Sequence, residues 1–269
     1  MTENMKDSVI STRVRLARNL KGIPFPSKMG AGQANVVAGK VYEALGKGYK
    51  LYNIARLNES EAGALVEKHL ISKELVSSCP FGSVIVGDDE TLSVMLNEED
   101  HVREQVILSG LKLDEAYRLV DGLDDRIGEN ASFAFSERLG YLTACPTNLG
   151  TGMRASVMLH LPAYTMSGYM RSLSYELARM GFTIRGMDGE GSDSVAYIYQ
   201  IANEATLGMS EEETISKLDG IVKQIVAKER ELRKSLFEDR REMFTEKARR
   251  DIGVIMYAGH LTYGEMLAM

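Results

Sequence analysis

Apolar residues recur every three or four positions in some stretches and every second position in others, so the chain is predicted to mix helices and strands. Val36, Val37, Val41 and Leu45 predict a helix over residues 32–47, and residues 60–70 predict another. Two β-rich runs, Gly82–Val86 and Thr91–Asn97, flank Gly87-Asp88-Asp89-Glu90, a hairpin-like signal. Leu113–Asp121 and Ser167–Met180 read as helices. Gly140–Ala144 and Ala155–Leu161 read as strands around a glycine-rich loop, and Phe182–Arg185 and Ala196–Ile201 as further strands. Several strand-to-strand links are too short for a parallel crossover, so the class is α+β with a largely antiparallel sheet.

From Ser210 the pattern changes. Ser210 and Glu213 have capping-box spacing, and Ile215, Leu218, Val222, Ile225, Leu232 and Leu236 continue at helical spacing with a polar gap at Glu229. Beyond Arg233 the segment is charge-dense, with Arg240-Arg241 and Arg249-Arg250, and reads as a solvated helix face. Residues 1–230 are expected to form one domain. Residues 231–269 are expected to form a helical linker and the start of a second, truncated helical domain, because Leu261–Met269 looks like a helix that stops without a cap.

Composition narrows the function classes. In 269 residues, 44% are hydrophobic and 26% charged, which is ordinary globular usage. Lys+Arg 32 against Asp+Glu 38 leaves a net charge of -6, unlike a domain held to nucleic acid by bulk charge. No apolar run approaches the ~18 residues of a membrane span. Met1–Asp7 is polar, unlike a secretory signal. Cys79 and Cys145 give neither a disulfide framework nor zinc spacing. A cytoplasmic protein without direct nucleic-acid or membrane contact is expected. The basic residues are 18 Arg and 14 Lys, and such a preference in an acidic chain suggests specific use of guanidinium forks.

Four polar segments carry the candidate chemistry. In Ser11-Thr12-Arg13-Val14-Arg15, the period of two puts Arg13 and Arg15 on one face of a strand. Two adjacent guanidiniums repel unless an anion such as a polyphosphate sits between them. Asn97-Glu98-Glu99-Asp100-His101-Val102-Arg103 closes an apolar strand with three adjacent carboxylates, sensible if a cation lies there and otherwise a solvated acidic turn. Cys145-Pro146-Thr147-Asn148-Leu149-Gly150-Thr151-Gly152-Met153-Arg154 is a loop whose glycines would let backbone N–H groups approach phosphate. It lacks the lysine of a Walker A loop. Arg185-Gly186-Met187-Asp188-Gly189-Glu190-Gly191-Ser192 reads as a mobile loop that could close over a ligand.

In order and near-spacing these segments resemble the phosphagen (guanidino) kinase family, over about residues 8–230. LVEKHLIS (65–72), SVMLNEEDH (93–101), GYLTACPTNLGTGMRASVMLHLPA (140–163) and IRGMDGEGS (184–192) are most similar to its bacterial protein arginine kinase branch. Only ten residues precede Ser11, where small-molecule guanidino kinases carry a helical domain that supplies part of the substrate pocket. An open site, reachable by a protein surface, is the expected consequence.

The resemblance implies a guanidino-kinase/glutamine-synthetase-like catalytic domain: an antiparallel saddle-shaped sheet flanked by helices. It implies that Arg13, Arg15, Arg103, Arg154 and Arg185 hold the phosphates of ATP, and that Glu99, Glu190 and Cys145 grip the acceptor guanidinium. Glu98 would face Mg2+ through water. His69, Ser156, Val157 and Met158 fall where adenine and ribose bind. Met158 and Gln200 depart from the histidine and aspartate of other guanidino kinases. The implied activity is transfer of the γ-phosphoryl group to arginine residues of proteins, as a stress-related tag for degradation. Implied partners are protein substrates with exposed arginine, an activator protein and a Clp-type protease or chaperone. A homodimer weakened by the short C-terminus is also implied. The alternatives are a small-molecule arginine kinase and a non-catalytic nucleotide- or phosphoarginine-binding scaffold.

Overall fold

The computed structural model describes residues 5–186 and 195–269. In chain order, β1 (Val9–Arg18) leads to α1 (Ala31–Leu45), β2 (Tyr49–Asn53), α2 (Glu59–Glu67) and α3 (Lys73–Ser78). Strands β3 (Ser83–Gly87), β4 (Leu92–Leu96) and β5 (Val102–Ser109) follow, then α4 (Leu113–Asn130) and the short pair β6 (Phe135–Ser136) and β7 (Gly140–Tyr141). Next come β8 (Met153–His160), α5 (Pro162–Met166), α6 (Met170–Arg179), β9 (Phe182–Gly186) and β10 (Ile198–Asn203). The chain closes with α7 (Glu211–Asp239), α8 (Arg241–Tyr257) and α9 (Tyr263–Ala268).

One sheet organises the fold, in the order β2-β3-β4-β5-β1-β8-β10-β9, with each neighbouring pair antiparallel. Strand β1 lies near its centre and pairs with β5 and β8. Its burial alternates: Thr12, Val14 and Leu16 are buried, whereas Ser11, Arg13 and Arg15 are partly open. The period of two therefore makes two unlike faces. On the core face, Val14, Leu16, Val94, Val102, Val106, Val157 and Ile201 pack under the apolar stripes of α1, α4 and α7. Each fully buried aliphatic side chain there contributes roughly 1.5–3 kcal/mol.

The opposite face is covered at one end only. A second cluster of Ile54, Leu70, Ile71, Leu75, Val84, Val86 and Met95 seats the α2–α3 segment against β3 and β4. The face then turns polar across β5, β1, β8, β10 and β9, forming a cleft whose floor is sheet.

The expected helices and strands largely form. The helix expected over Ser167–Met180 forms as α6, and the short α5, begun by Pro162, precedes it with Gly168 at a positive φ between the two. Strand β5, which the periodicity did not single out, carries Arg103. The boundary expected at residue 230 falls inside α7, which runs unbroken to Asp239. Buried Glu229 explains that helix's polar gap: its two carboxylate oxygens accept from the backbone N–H of Ala163 and Tyr164, each at 2.9 Å, and it pairs with Arg233 at 2.7 Å. Helix α8 buries no residue, consistent with the solvated reading.

Candidate active site

The sheet register assembles the arginines. Arg15 sits directly opposite Arg154 of β8, and Arg13 opposite Ser156. Across the other neighbour, Ala17 of β1 pairs with Arg103 of β5. Arg185 on β9 is linked through Gln200 on β10 to Met158 on β8. All five arginines expected at the phosphates thus share the cleft face. Like charges set directly opposite one another in a sheet repel.

Burial and crowding both act against the charged forms. Burial pushes the Arg13 guanidinium down to about 10, with repulsion from Arg103 and Arg154 adding to it and Glu98 opposing. Burial, then repulsion from Arg13, Arg103 and Arg154, holds Arg15 well below the arginine range. Burial and Arg185 likewise lower Arg154. The Nε atoms of Arg13 and Arg15 are buried without a hydrogen-bond partner. A polyanion would satisfy those donors and cancel the repulsion.

The acidic turn between β4 and β5 splits into two functions. Asn97 enters it with φ 60°, a left-handed conformation that asparagine tolerates better than most residues. Its side-chain amide donates to the carbonyls of Ala34 and Phe81. Glu98 and Glu99 then turn into the cleft, where Arg103 reaches Glu98 at 2.5 Å and Glu99 at 3.1 Å. Asp100 and His101 turn the other way and are fully buried. Asp100 accepts from Asn19 Nδ2 at 2.6 Å and from the Ala144 backbone N–H at 2.7 Å. His101 Nδ1 accepts from the Leu20 N–H, and Nε2 lies 2.7 Å from the Pro24 carbonyl, so the ring is neutral with its proton on Nε2. Burial lowers its pKa. The three adjacent carboxylates are therefore not one cation site: two face the cleft and Asp100 ties the turn to the next loop.

That tie places Cys145, the residue after Ala144. Cys145 is half-buried, and its sulfur lies 2.9 Å from Thr147 Oγ1. The glycines of this loop serve packing. A Cβ on Gly152 (φ 62°) would stand 2.6 Å from the Ala17 carbonyl and 2.8 Å from Arg18 Nη1, and one on Gly150 (φ 101°) would collide with the Thr206 carbonyl.

Of the residues expected near the base, Ser156 and Met158 face the cleft, and Gln200 Nε2 donates to Ser156 Oγ at 3.1 Å. The Val157 side chain cannot share that role, because alternation turns it into the core with no exposed area. His69 is exposed with φ 58°, and its carbonyl accepts from Gln105 Nε2 at 2.6 Å. Glu190 lies outside the described residues. Sequence reasoning also missed Ser72, whose hydroxyl donates to Glu98 Oε1, and Gln105, which lies opposite Arg15.

Among the described residues, no group of three or more His, Cys, Asp or Glu converges as a metal cage. Glu98 beside the arginines fits a hard cation held mainly by phosphates and water, which is how Mg2+ is commonly bound. No helix among the described residues is long and apolar enough to cross a membrane.

A sheet-floored cleft that sets unpartnered arginine nitrogens beside a pair of carboxylates suits a phosphotransferase with a cationic acceptor. Comparison with known proteins agrees. The profile of the family described as "ATP:guanido phosphotransferase, C-terminal catalytic domain" matches residues 35–232. The "Protein-arginine kinase" of Caldanaerobacter subterraneus subsp. tengcongensis is 41% identical over 276 residues, spanning 100% of this chain and 82% of the relative. That of Clostridium acetobutylicum is 44% identical, spanning 99% and 81%. Among solved structures, a lombricine kinase superposes with a TM-score of 0.75 at 25% identity, covering 86% of this chain and 68% of the other. A duplicated taurocyamine kinase from Schistosoma mansoni, with bound transition-state-analogue components, gives 0.75 at 25% identity, covering 85% and 34%.

The chain belongs to the ATP:guanido phosphotransferase family. It is an enzyme that transfers phosphoryl groups to a guanidino acceptor, with ATP as the donor.

Proposed function

We propose that this enzyme is an ATP-dependent protein arginine kinase, phosphorylating the guanidinium of arginine residues in proteins. One juxtaposition carries the reading: unsatisfied arginines Arg13 and Arg15 stand a short way from the Glu98–Glu99 pair, with Arg103 spanning the two. The protein-arginine kinase relatives support a protein rather than a free amino acid as acceptor.

The chemistry follows from charge. The transferring phosphoryl group passes through a loose transition state that needs alignment and neutralisation more than covalent help. Arg13, Arg15, Arg103, Arg154 and Arg185 supply fixed positive charge for the phosphates. Mg2+, when bound, adds charge neutralisation at the phosphates, with Glu98 as the carboxylate on that side.

The acceptor is the harder problem, since a guanidinium titrates above ~12 and a glutamate near ~4.3. A separate deprotonation would be uphill by about eight units, roughly 11 kcal/mol. Proton loss therefore accompanies P–N bond formation. The nitrogen lone pair attacks phosphorus, the bond to the β,γ-bridging oxygen breaks with its electrons leaving on ADP, and the proton passes to Glu99. Glu99 and Glu190 orient the guanidinium, and Cys145 polarises it from another side. Use of the modification as a stress-related degradation tag in the cytoplasm, with an activator protein and a Clp-type protease, belongs to the same proposal.

The test is mass spectrometry of an arginine-rich protein such as casein, and of free arginine, after incubation with Mg-ATP at a pH that preserves the P–N bond. Phosphoarginine on the protein supports the proposal. Phosphorylation of free arginine alone makes this a small-molecule kinase, and nucleotide binding without transfer makes it a scaffold. Within the active enzyme, Glu99→Gln should abolish transfer while ATP still binds. Retained turnover in that variant would refute the role of Glu99.

A further inference from the structure

Glu98 is held from two sides. Arg103 Nη1 approaches Oε2, and the Ser72 hydroxyl donates a hydrogen bond to Oε1. Ser72 comes from a different layer of the molecule, the turn that opens α3 over the sheet. Three contacts lock it. Its backbone N–H lies 3.3 Å from Met95 Sδ, its Oγ accepts the Leu75 N–H at 3.1 Å as the cap of α3, and Leu75 and Met95 are fully buried in the second apolar cluster. With Oγ already accepting, its one proton is directed to the carboxylate of Glu98, whose side chain is only 5% exposed. The two grips differ in permanence. Arg103 also faces the phosphate site, and a nucleotide competes for its guanidinium, whereas Ser72 has no phosphate to turn to.

We propose that Ser72 is a positioning residue for phosphoryl transfer, keeping Glu98 in place on the nucleotide side of the cleft when Arg103 engages phosphate. The assignment rests on the phosphotransfer reading of the site. It makes the α3 cap part of the active site's support, since one hydroxyl both starts the helix and fixes the carboxylate.

The structural and positioning roles separate by substitution. Ser72→Gly keeps an acceptable helix cap but removes the donor, and Ser72→Thr keeps both cap and donor. Variants of the whole chain are compared by thermal melting, by kcat and KM for ATP, and by calorimetric ATP affinity across a Mg2+ titration. Ser72→Gly should melt with the wild type yet lose about tenfold in kcat, the scale of one hydrogen bond to a charged group, with KM for ATP changed less than twofold. It should also need more Mg2+ to reach half-maximal ATP binding, and Ser72→Thr should restore both properties. Unchanged kcat and Mg2+ dependence in Ser72→Gly would overturn the proposal. So would losses that track melting and are not restored by threonine. If the wild type transfers phosphate to no arginine, the functional reading fails by itself, and the Mg2+ titration still decides the role of Ser72.

Discussion

Strand β1 carries two kinds of arginine, Arg18 on its core face and Arg13 and Arg15 on its cleft face. Arg18, next to the core, is saturated: Asp124 accepts from its Nε and Nη2 at 2.8–3.0 Å, and the Thr151 carbonyl accepts from Nη1 at 2.8 Å. The Tyr141 ring lies 3.5 Å from its Cζ. Burial alone would lower its pKa, but Asp124 more than compensates and raises it. Arg13 and Arg15, on the cleft side, have unpartnered Nε atoms, lie near other cations and titrate low. The same residue type therefore serves stability on one face and waits for a ligand on the other. The lesson is that a buried arginine marks a site only when its partners are missing from the chain itself.

Substitutions on the two faces should separate cleanly. Arg15→Met should lower turnover on the order of 10³-fold, as for a charge placed on the transferring group, without loss of stability in denaturant titration, because it removes repulsion. Matching losses of fold and activity would erase the distinction between the faces. Arg18→Met leaves Asp124 buried without its cation and should cost about 3–5 kcal/mol by the same titration. A cost near zero would mean that the Arg18 network is ornamental.

A smaller effect concerns Glu104, fully buried on the core side. Burial, then repulsion from Asp124, holds its carboxyl well above the usual carboxylate range. Above the ordinary value near ~4.3, the folded chain therefore binds a proton that the unfolded chain has released, and stability falls as pH rises toward the folded value. Glu104→Gln should remove that fall, by up to about 1.4 kcal/mol per pH unit within the window. Parallel pH–stability curves for the two proteins would show that Glu104 is not held protonated.

These faces also show what can be read from residues in a row. The alternation of β1 and the long helix after Ser210 were legible because one local period dictates one buried face. The five arginines and the Glu98–Glu99 pair were legible because their order along the chain matches a known pattern. Asp100 and Ser72 were not. Asp100 reads as a third acidic ligand until the register turns it inward to Asn19 and Ala144. Ser72 carries no signal of its own in the sequence, and only the packing of the α3 segment over the sheet brings it to Glu98. The packing role of Gly150 and Gly152 was hidden for the same reason: their neighbours, Thr206 and Ala17, are distant in sequence.

The central claim is that the unpaired cleft arginines form the nucleotide site. Its most direct test is calorimetric ATP affinity of Arg15→Met against wild type, with folding of both checked by thermal melting. The account predicts about 10²-fold weaker binding, the scale of one bidentate guanidinium–phosphate contact, with no drop in melting temperature. Unchanged affinity, or affinity lost only together with the fold, would contradict it.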